Sequence, residues 1–458
     1  MSQSHAQQIG DFVAADHALS PELEDWMRLL HLDYAAVTTG GLDRDSAAAV
    51  LKAVPTFDEP SLAAPCSVVA TPTRYAAEEH AALINGTIAH GLELDDTHEE
   101  GSLHPAVVIF PALFAVAETE GAAYGEVLTA AAVGYEVMCR TAVLIGSAES
   151  YGRGFHPTAI SGSIGAAAAV SRLLGLDAAA ATNAVAIGAN LAAGSLEFLS
   201  DGSWTKRLNA GHAAANGIRA ARLAQVGFDA PATAFEGDNG FLYQYGRGAA
   251  EGRELRLELG SAALETSIKF YPCCRYMHGN IDLLREIHHE HPNLDPAEIT
   301  AIDAAVITAG ARLVSEPAER KLIVTSPVDA QFNMPFGAAL AITTGEATVA
   351  DFDNAPEVAK GLAETMAKVR CYTDEEVDAA YPARWQARVT VTLADGTVIS
   401  RFSDAFVGSA TKRATWGQIQ DKAASLVGQE RARELAEHAR SQALETKASM
   451  AGESVLVG

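Results

Sequence analysis

Residues 162–194, GSIGAAAAVSRLLGLDAAAATNAVAIGANLAAG, contain two helix-length runs that are apolar on nearly every side. A helix at a protein surface keeps a polar face, so helices lacking one belong in the interior, surrounded by other helices. Alanine fills most of these positions; it is the best helix former and lets neighbours approach closely. Gly162, Gly165, Gly188 and Gly194 then read as close-contact points between helices. A phosphate-binding glycine loop would need a preceding strand and a following Gly-Lys-Ser/Thr, and neither is present. The stretch calls for a mainly α fold with these helices at its centre.

Outward from this centre, apolar residues recur at three- and four-residue spacing throughout residues 22–265, as in ELEDWMRLLHLDYAAV (22–37) and EEHAALINGTIAHGLEL (78–94). The pattern changes near 265. ITAIDAAVITAG (299–310) and ARVTVTLADGTVISRF (387–402) carry β-branched alternation, and Asp395-Gly396 between two alternating runs signals a hairpin. Helical stretches lie between them. The tail, WGQIQDKAASLVGQERARELAEHARSQAL (416–444), reads as amphipathic helix returning to the helical body. The expected organisation is a large all-helical domain over 1–267, completed by 406–458, and a smaller α+β domain over 268–405.

Composition bounds the function. With 458 residues, 48% hydrophobic and 20% charged, the chain suits a compact globular protein with a large core. A formal charge of -25 argues against nucleic acid and against anionic lipid as partners. Cys66, Cys139, Cys273, Cys274 and Cys371 are odd in number and lack framework spacing, which suggests a reduced, cytoplasmic setting. The N-terminus lacks the basic and apolar regions of a signal peptide. Apolar runs such as LTAAAVGYEVM (128–138) read as too short and too broken by Gly or charge to span a membrane.

The densest chemistry lies in HGLELDDTHEEGSLHP (90–105), with five carboxylates and three histidines in sixteen residues. A metal site would draw on His98, His104 and Asp95 or Asp96, but six residues with a glycine between the histidines is not helical ligand spacing. A solvated turn is the plainer alternative. Against it stand four further islands: YGRGFHPTAISG (151–162), DGSWTKRLNAGHAAANG (201–217), KFYPCCRYMHGNID (269–282) and QFNMPFGAALA (331–341). In so acidic a chain, cations such as Arg153, Lys206, Lys269 and Arg275 gathered in turn-rich islands suit a small di- or tricarboxylate. A His, Lys or Tyr beside them would move a proton on the carbon next to a carboxylate.

Asp-Asp-Thr-His followed by His-Pro, then Gly-Phe-His-Pro-Thr, then Lys-x-Tyr-Pro-Cys-Cys with a following His, resembles the MmgE/PrpD family over roughly residues 8–410, in the same order. Members include 2-methylcitrate dehydratase, cis-aconitate decarboxylase and iminodisuccinate epimerase. The resemblance implies a helical domain, a smaller α+β lid, a cleft between them, a homodimer, and neither metal nor organic cofactor. It places a decarboxylase-type pocket on Glu93, Thr97, His104, His156, Lys206 and Lys269. Three positions depart from that pattern: Glu93 stands for aspartate, Cys274 for a histidine and Phe336 for a tyrosine. Tyr151 matches the tyrosine that epimerase-type members pair with the boundary lysine, here Lys269.

The first expectation is therefore a cofactor-independent lyase that dehydrates a hydroxylated di- or tricarboxylate such as 2-methylcitrate. His104 or His156 would be the acid/base pair. Lys206 would clamp carboxylate, Lys269 would clamp it or take the α-proton, and Arg153, Arg275 and His278 would assist binding. An epimerase using Tyr151 and Lys269 as two bases is the second expectation, and a non-catalytic metabolite-binding protein the third. Asp95 and Asp96 are expected to be mainly structural, capping a helix or holding His98 or a lysine.

Overall fold

The computed structural model describes residues 3–56, 58–247 and 253–450. The chain divides into two compact units, one of Met1–Glu197, Trp204–Thr266 and Thr415–Gly458, the other of Phe198–Ser203 and Ser267–Ala414.

The first unit is helical and is built around Pro157–Leu173, in which every residue from Pro157 to Ser171 is buried. Helices Ala106–Glu120, Tyr124–Ile145, Ala178–Asn190 and Thr205–Gln225 pack against it. The small residues act as the sequence suggests. A Cβ on Gly162 would lie 2.9 Å from Ala213 Cβ, and one on Gly188 would lie 2.8 Å from the Ser163 carbonyl oxygen. Gly194 lies beyond the end of Ala178–Asn190 at φ +145°, and a Cβ there would come within 2.3 Å of Ala159 Cβ on the central helix. The crossing that matters for chemistry joins Glu78–Ala89 to Thr205–Gln225. There Gly86 and Gly211 meet back to back, and a Cβ on Gly86 would come within 2.7 Å of Gly211 Cα. That approach brings the loop after Glu78–Ala89 beside the first turn of Thr205–Gln225.

The run LTAAAVGYEVM proves to be part of an unbroken 22-residue helix, Tyr124–Ile145, long and apolar enough by length and composition to cross a bilayer. Gly134 and Glu136 do not interrupt it. Glu136 is buried and accepts hydrogen bonds from Arg140 Nε (3.0 Å) and the backbone N–H groups of Glu258 (3.1 Å) and Ala262 (2.8 Å). Of its most apolar window, 83% is buried.

The tail forms two helices rather than one, Trp416–Val427 and Gln429–Ser441, separated at Gly428 (φ +83°). Both return to pack on Pro21–Gly40. Lys422 Nζ donates to Asp33 Oδ1 (2.5 Å) and to the Leu94 carbonyl (2.7 Å), all within the buried interior.

The second unit is built on a four-stranded sheet in the order Val369–Tyr372, Ile299–Ala305, Ala387–Leu393, Val398–Ser403. The first pair is parallel and the other two are antiparallel. The Asp395-Gly396 turn joins the last two strands, with Gly396 at φ +89°. Helix His278–Glu290 packs on these two strands and on helix Met334–Thr344. The chain is thus mainly helical, with the four-stranded sheet in the second unit and a short antiparallel pair, Cys66–Ser67 with Arg74–Tyr75, in the first.

Candidate active site

The 90–105 loop is not a solvated turn: all its residues are buried except Glu99 and Glu100, which are half-exposed. Helix Glu78–Ala89 ends in a single 3₁₀ turn, His90–Leu92. Glu93 then adopts a left-handed conformation (φ +56°), rare for a residue with a side chain and a mark of local constraint. The far end is closed by reciprocal backbone hydrogen bonds between His98 and Leu103, 2.8 and 3.3 Å. Asp96 fastens the loop to the bundle. Its Oδ1 accepts from the Ala106 N–H at the start of helix Ala106–Glu120 (3.0 Å), and its Oδ2 accepts from Tyr135 Oη (2.8 Å). Burial pushes the Asp96 carboxyl well above its ordinary range. This is the expected capping role.

Asp95 does something else. Its Oδ2 accepts from His90 Nδ1 (2.8 Å) and lies 3.3 Å from His104 Nδ1. His104 Nδ1 is also 2.6 Å from the Asp96 carbonyl oxygen and 3.3 Å from Thr97 Oγ1. A carbonyl at that distance requires a proton on Nδ1. Nε2 faces Glu93 Oε1 at 3.9 Å. Glu93 Oε2 accepts from Lys206 Nζ, which the first turn of Thr205–Gln225 brings to it. The His104 backbone N–H donates to Thr158 Oγ1 (3.1 Å), tying the loop to helix Pro157–Leu173.

His156 caps that helix and is buried. Burial drives its pKa well below the ordinary value, with Lys206, His90 and His104 pushing the same way, so the ring is neutral near pH 7. With the Asn209 amide Nδ2 donating to Nδ1 (3.4 Å), the proton sits on Nε2. Its plane stacks on His90, centroids 5.9 Å apart and 18° between planes. Glu93, Asp95, Thr97, His104, His156 and Lys206 therefore converge within the first unit.

Tyr151 and Arg153 meet other groups as well. Tyr151 lies in the short helix Ser147–Gly152, and its hydroxyl meets Ser102 Oγ (3.0 Å) and the Ser102 carbonyl (3.2 Å). Arg153 donates to the Gln244 carbonyl and covers the Phe155 ring at 5.3 Å. His98, expected near Asp95 or Asp96, faces Glu265 instead (3.4 Å). In the second unit Lys269 and Cys274 are buried. Arg275 stacks on Phe406 at 4.4 Å and meets His278 Nδ1 at 3.3 Å, and His278 Nε2 lies 3.3 Å from the Cys273 carbonyl. Phe336 is fully buried in helix Met334–Thr344, edge-on to Phe352 at 5.3 Å.

Sequence reasoning passed over His90 as a site residue and over Asn209. His90 stands five residues before Asp95, a spacing without a helical reading, and only the loop's return brings the two together. Donor atoms of His90, Asp95 and His104 lie within 4.8 Å of one another and are chemically suited to a divalent metal. Their actual arrangement is a hydrogen-bonded chain in which the Asp96 carbonyl claims the His104 Nδ1 proton. It favours proton handling over metal ligation.

The MmgE/PrpD N-terminal domain model matches residues 7–253, and the C-terminal domain model matches 271–446. A cis-aconitate decarboxylase-like protein of Aspergillus oryzae is 32% identical over 243 residues, 50% of each chain. A cis-aconitate decarboxylase of Aspergillus terreus is 31% identical over 227 residues, 47% of this chain and 46% of its own. The chain spans about half the length of these fungal relatives. A mouse cis-aconitate decarboxylase is 24% identical over 355 residues, 75% of this chain and 70% of its own.

Proposed function

The chain belongs to the MmgE/PrpD family, and from that premise we propose that it is a lyase acting on a small tricarboxylate through proton transfer next to a carboxylate. The observation that carries this reading is His104. Its Nδ1 is held by the Asp96 carbonyl beside Asp95, and its Nε2 is turned toward the Glu93–Lys206 pair, all of them buried. An imidazole fixed through one nitrogen beside a carboxylate–ammonium pair suits general acid–base work.

In the dehydration of a hydroxylated acid such as 2-methylcitrate, a base removes the α-proton and the β-hydroxyl leaves as water after taking up a proton. The product is an alkene. His104 Nε2 supplies one of these transfers. His156, neutral with its proton on Nε2, supplies a hydrogen-bond donor for the charge that develops on the carboxylate. Lys206 clamps a carboxylate, sharing its charge with Glu93. Lys269, in the second unit, is a further base or clamp, an assignment that rests on the family motif.

The printed activity of the relatives favours a second reading, decarboxylation of cis-aconitate. There a carboxylate leaves as carbon dioxide and the resulting carbanion takes a proton, which His104 would donate. Cys274 and Phe336 stand where that activity's pocket is expected to carry histidine and tyrosine, so dehydration stays first. Proton NMR in D₂O with 2-methylcitrate, citrate, cis-aconitate and iminodisuccinate separates the readings. Loss of water supports the dehydratase and loss of carbon dioxide the decarboxylase. α-Deuteration without elimination moves the chemistry to an epimerase using Tyr151 and Lys269. Silence across the panel sinks the proposal. Full activity after exhaustive chelation, and a homodimer in sedimentation, belong to the same reading.

A further inference from the structure

We infer that His90 is a third histidine of this site, held through Nδ1 by Asp95 and presenting Nε2 to an oxygen of the bound carboxylate substrate. The inference rests on the tricarboxylate reading above and adds a contact that the family motif does not include. His90 is fully buried, and among the described residues its Nε2 has no hydrogen-bond partner. Protein interiors rarely leave a ring nitrogen unmatched, because its lost hydration goes uncompensated. The other edge is fixed: Nδ1 lies 2.8 Å from Asp95 Oδ2, which sets the plane of the ring.

Position points the same way. The His90 ring lies against both site histidines, 4.9 Å from His104 and stacked on His156 at 5.9 Å. Its neighbours in charge are Asp95, His104 and His156, with Lys206 and Glu93 acting on the same cluster. A buried nitrogen among groups of this kind suits an oxygenated ligand. With its proton on Nδ1, the ring accepts from a substrate hydroxyl through Nε2; protonated, it donates to a carboxylate through the same atom. Hydroxylated tricarboxylates carry both groups.

Two amide substitutions split contact from support. In His90→Asn the side-chain amide replaces the Nδ1 edge that meets Asp95 and removes the Nε2 edge. In His90→Gln the amide reaches the Nε2 position. If Nε2 touches substrate, His90→Asn loses about tenfold or more in kcat/KM, chiefly through KM, and His90→Gln recovers part of the loss. Wild-type KM in His90→Asn overturns the inference, as does a His90→Gln variant more impaired than His90→Asn.

Should both variants fail to fold, a crystal structure of the wild-type protein with tricarballylate reads the contact directly. A ligand oxygen within about 3.2 Å of His90 Nε2 upholds the inference, and a ligand seated elsewhere overturns it. Tricarballylate binding without turnover of any tricarboxylate would remove the lyase reading alone and leave His90 to be judged on that contact. No binding of tricarballylate, citrate or cis-aconitate would overturn both.

Discussion

Two stretches of this chain look equally rich in chemistry, 90–105 and 269–282, and the folded protein uses them differently. In the first, the backbone turns back on itself and most titratable side chains point at one another. Asp95 meets two imidazoles, Glu93 meets Lys206, and His104 Nε2 faces Glu93. In the second, several of the same residue types serve the packing of the α+β unit. Tyr271 Oη donates to Asp282 and accepts from Arg285 Nη1 (2.7 Å), while Arg275 lies flat on Phe406. Burial raises both the Tyr271 hydroxyl and the Asp282 carboxyl above their usual ranges. Residue type marks where chemistry is affordable; only the partners decide whether it is spent on structure or left for a ligand.

The contrast breaks first on activity. His104→Ala should lower kcat on the substrate found by NMR by about 10²-fold or more with the fold intact by circular dichroism. Lys269→Ala, in the second stretch, should match it; near-normal turnover there would confine the chemistry to the first stretch. Next comes the support beneath the loop. Lys422→Met leaves Asp33 buried without its cation and should cost about 3–5 kcal/mol in urea unfolding. A loss below 1 kcal/mol would mean that the pair is not the loop's anchor.

Acid should weaken the first region. A buried His156 whose folded pKa lies well below the ordinary 6.5 stays neutral while the unfolded chain takes up a proton. Stability is therefore complete above pH 6.5 and falls as pH drops below it. His31, pushed down to about 3 mainly by burial, adds to the same slope. By this sign, His156→Gln should narrow the stability gap between pH 7.5 and pH 5.5, and an unchanged gap would count against a neutral His156. The smallest effect belongs to the second stretch: Tyr271→Phe should cost about 1 kcal/mol of stability and leave kcat unchanged. A large fall in kcat would erase the distinction between the two stretches.

Much of this arrangement was legible in the chain. The apolar runs at 162–194 announced buried helices, and Asp395-Gly396 announced the hairpin, because period and turn chemistry are local properties. The order of the motif islands carried the family. Other features were not local. His90 and Asp95 are joined by a 3₁₀ turn and a left-handed Glu93, neither of which has a sequence signature, and Lys422 reaches Leu94 across more than three hundred residues. Glu136 reads as a break in an apolar run until its partners at 258 and 262 are in place.

Lys422 also bears on the order of synthesis. The Leu94 carbonyl, next to Asp95, is held by a lysine that leaves the ribosome long after the loop itself, with the whole second unit made in between. A nascent chain that has grown only to residue 414 has the histidines and carboxylates of the site but lacks the bond that steadies them. This tether of the loop is therefore made late, when helix Trp416–Val427 docks on Pro21–Gly40 and Lys422 reaches the Leu94 carbonyl.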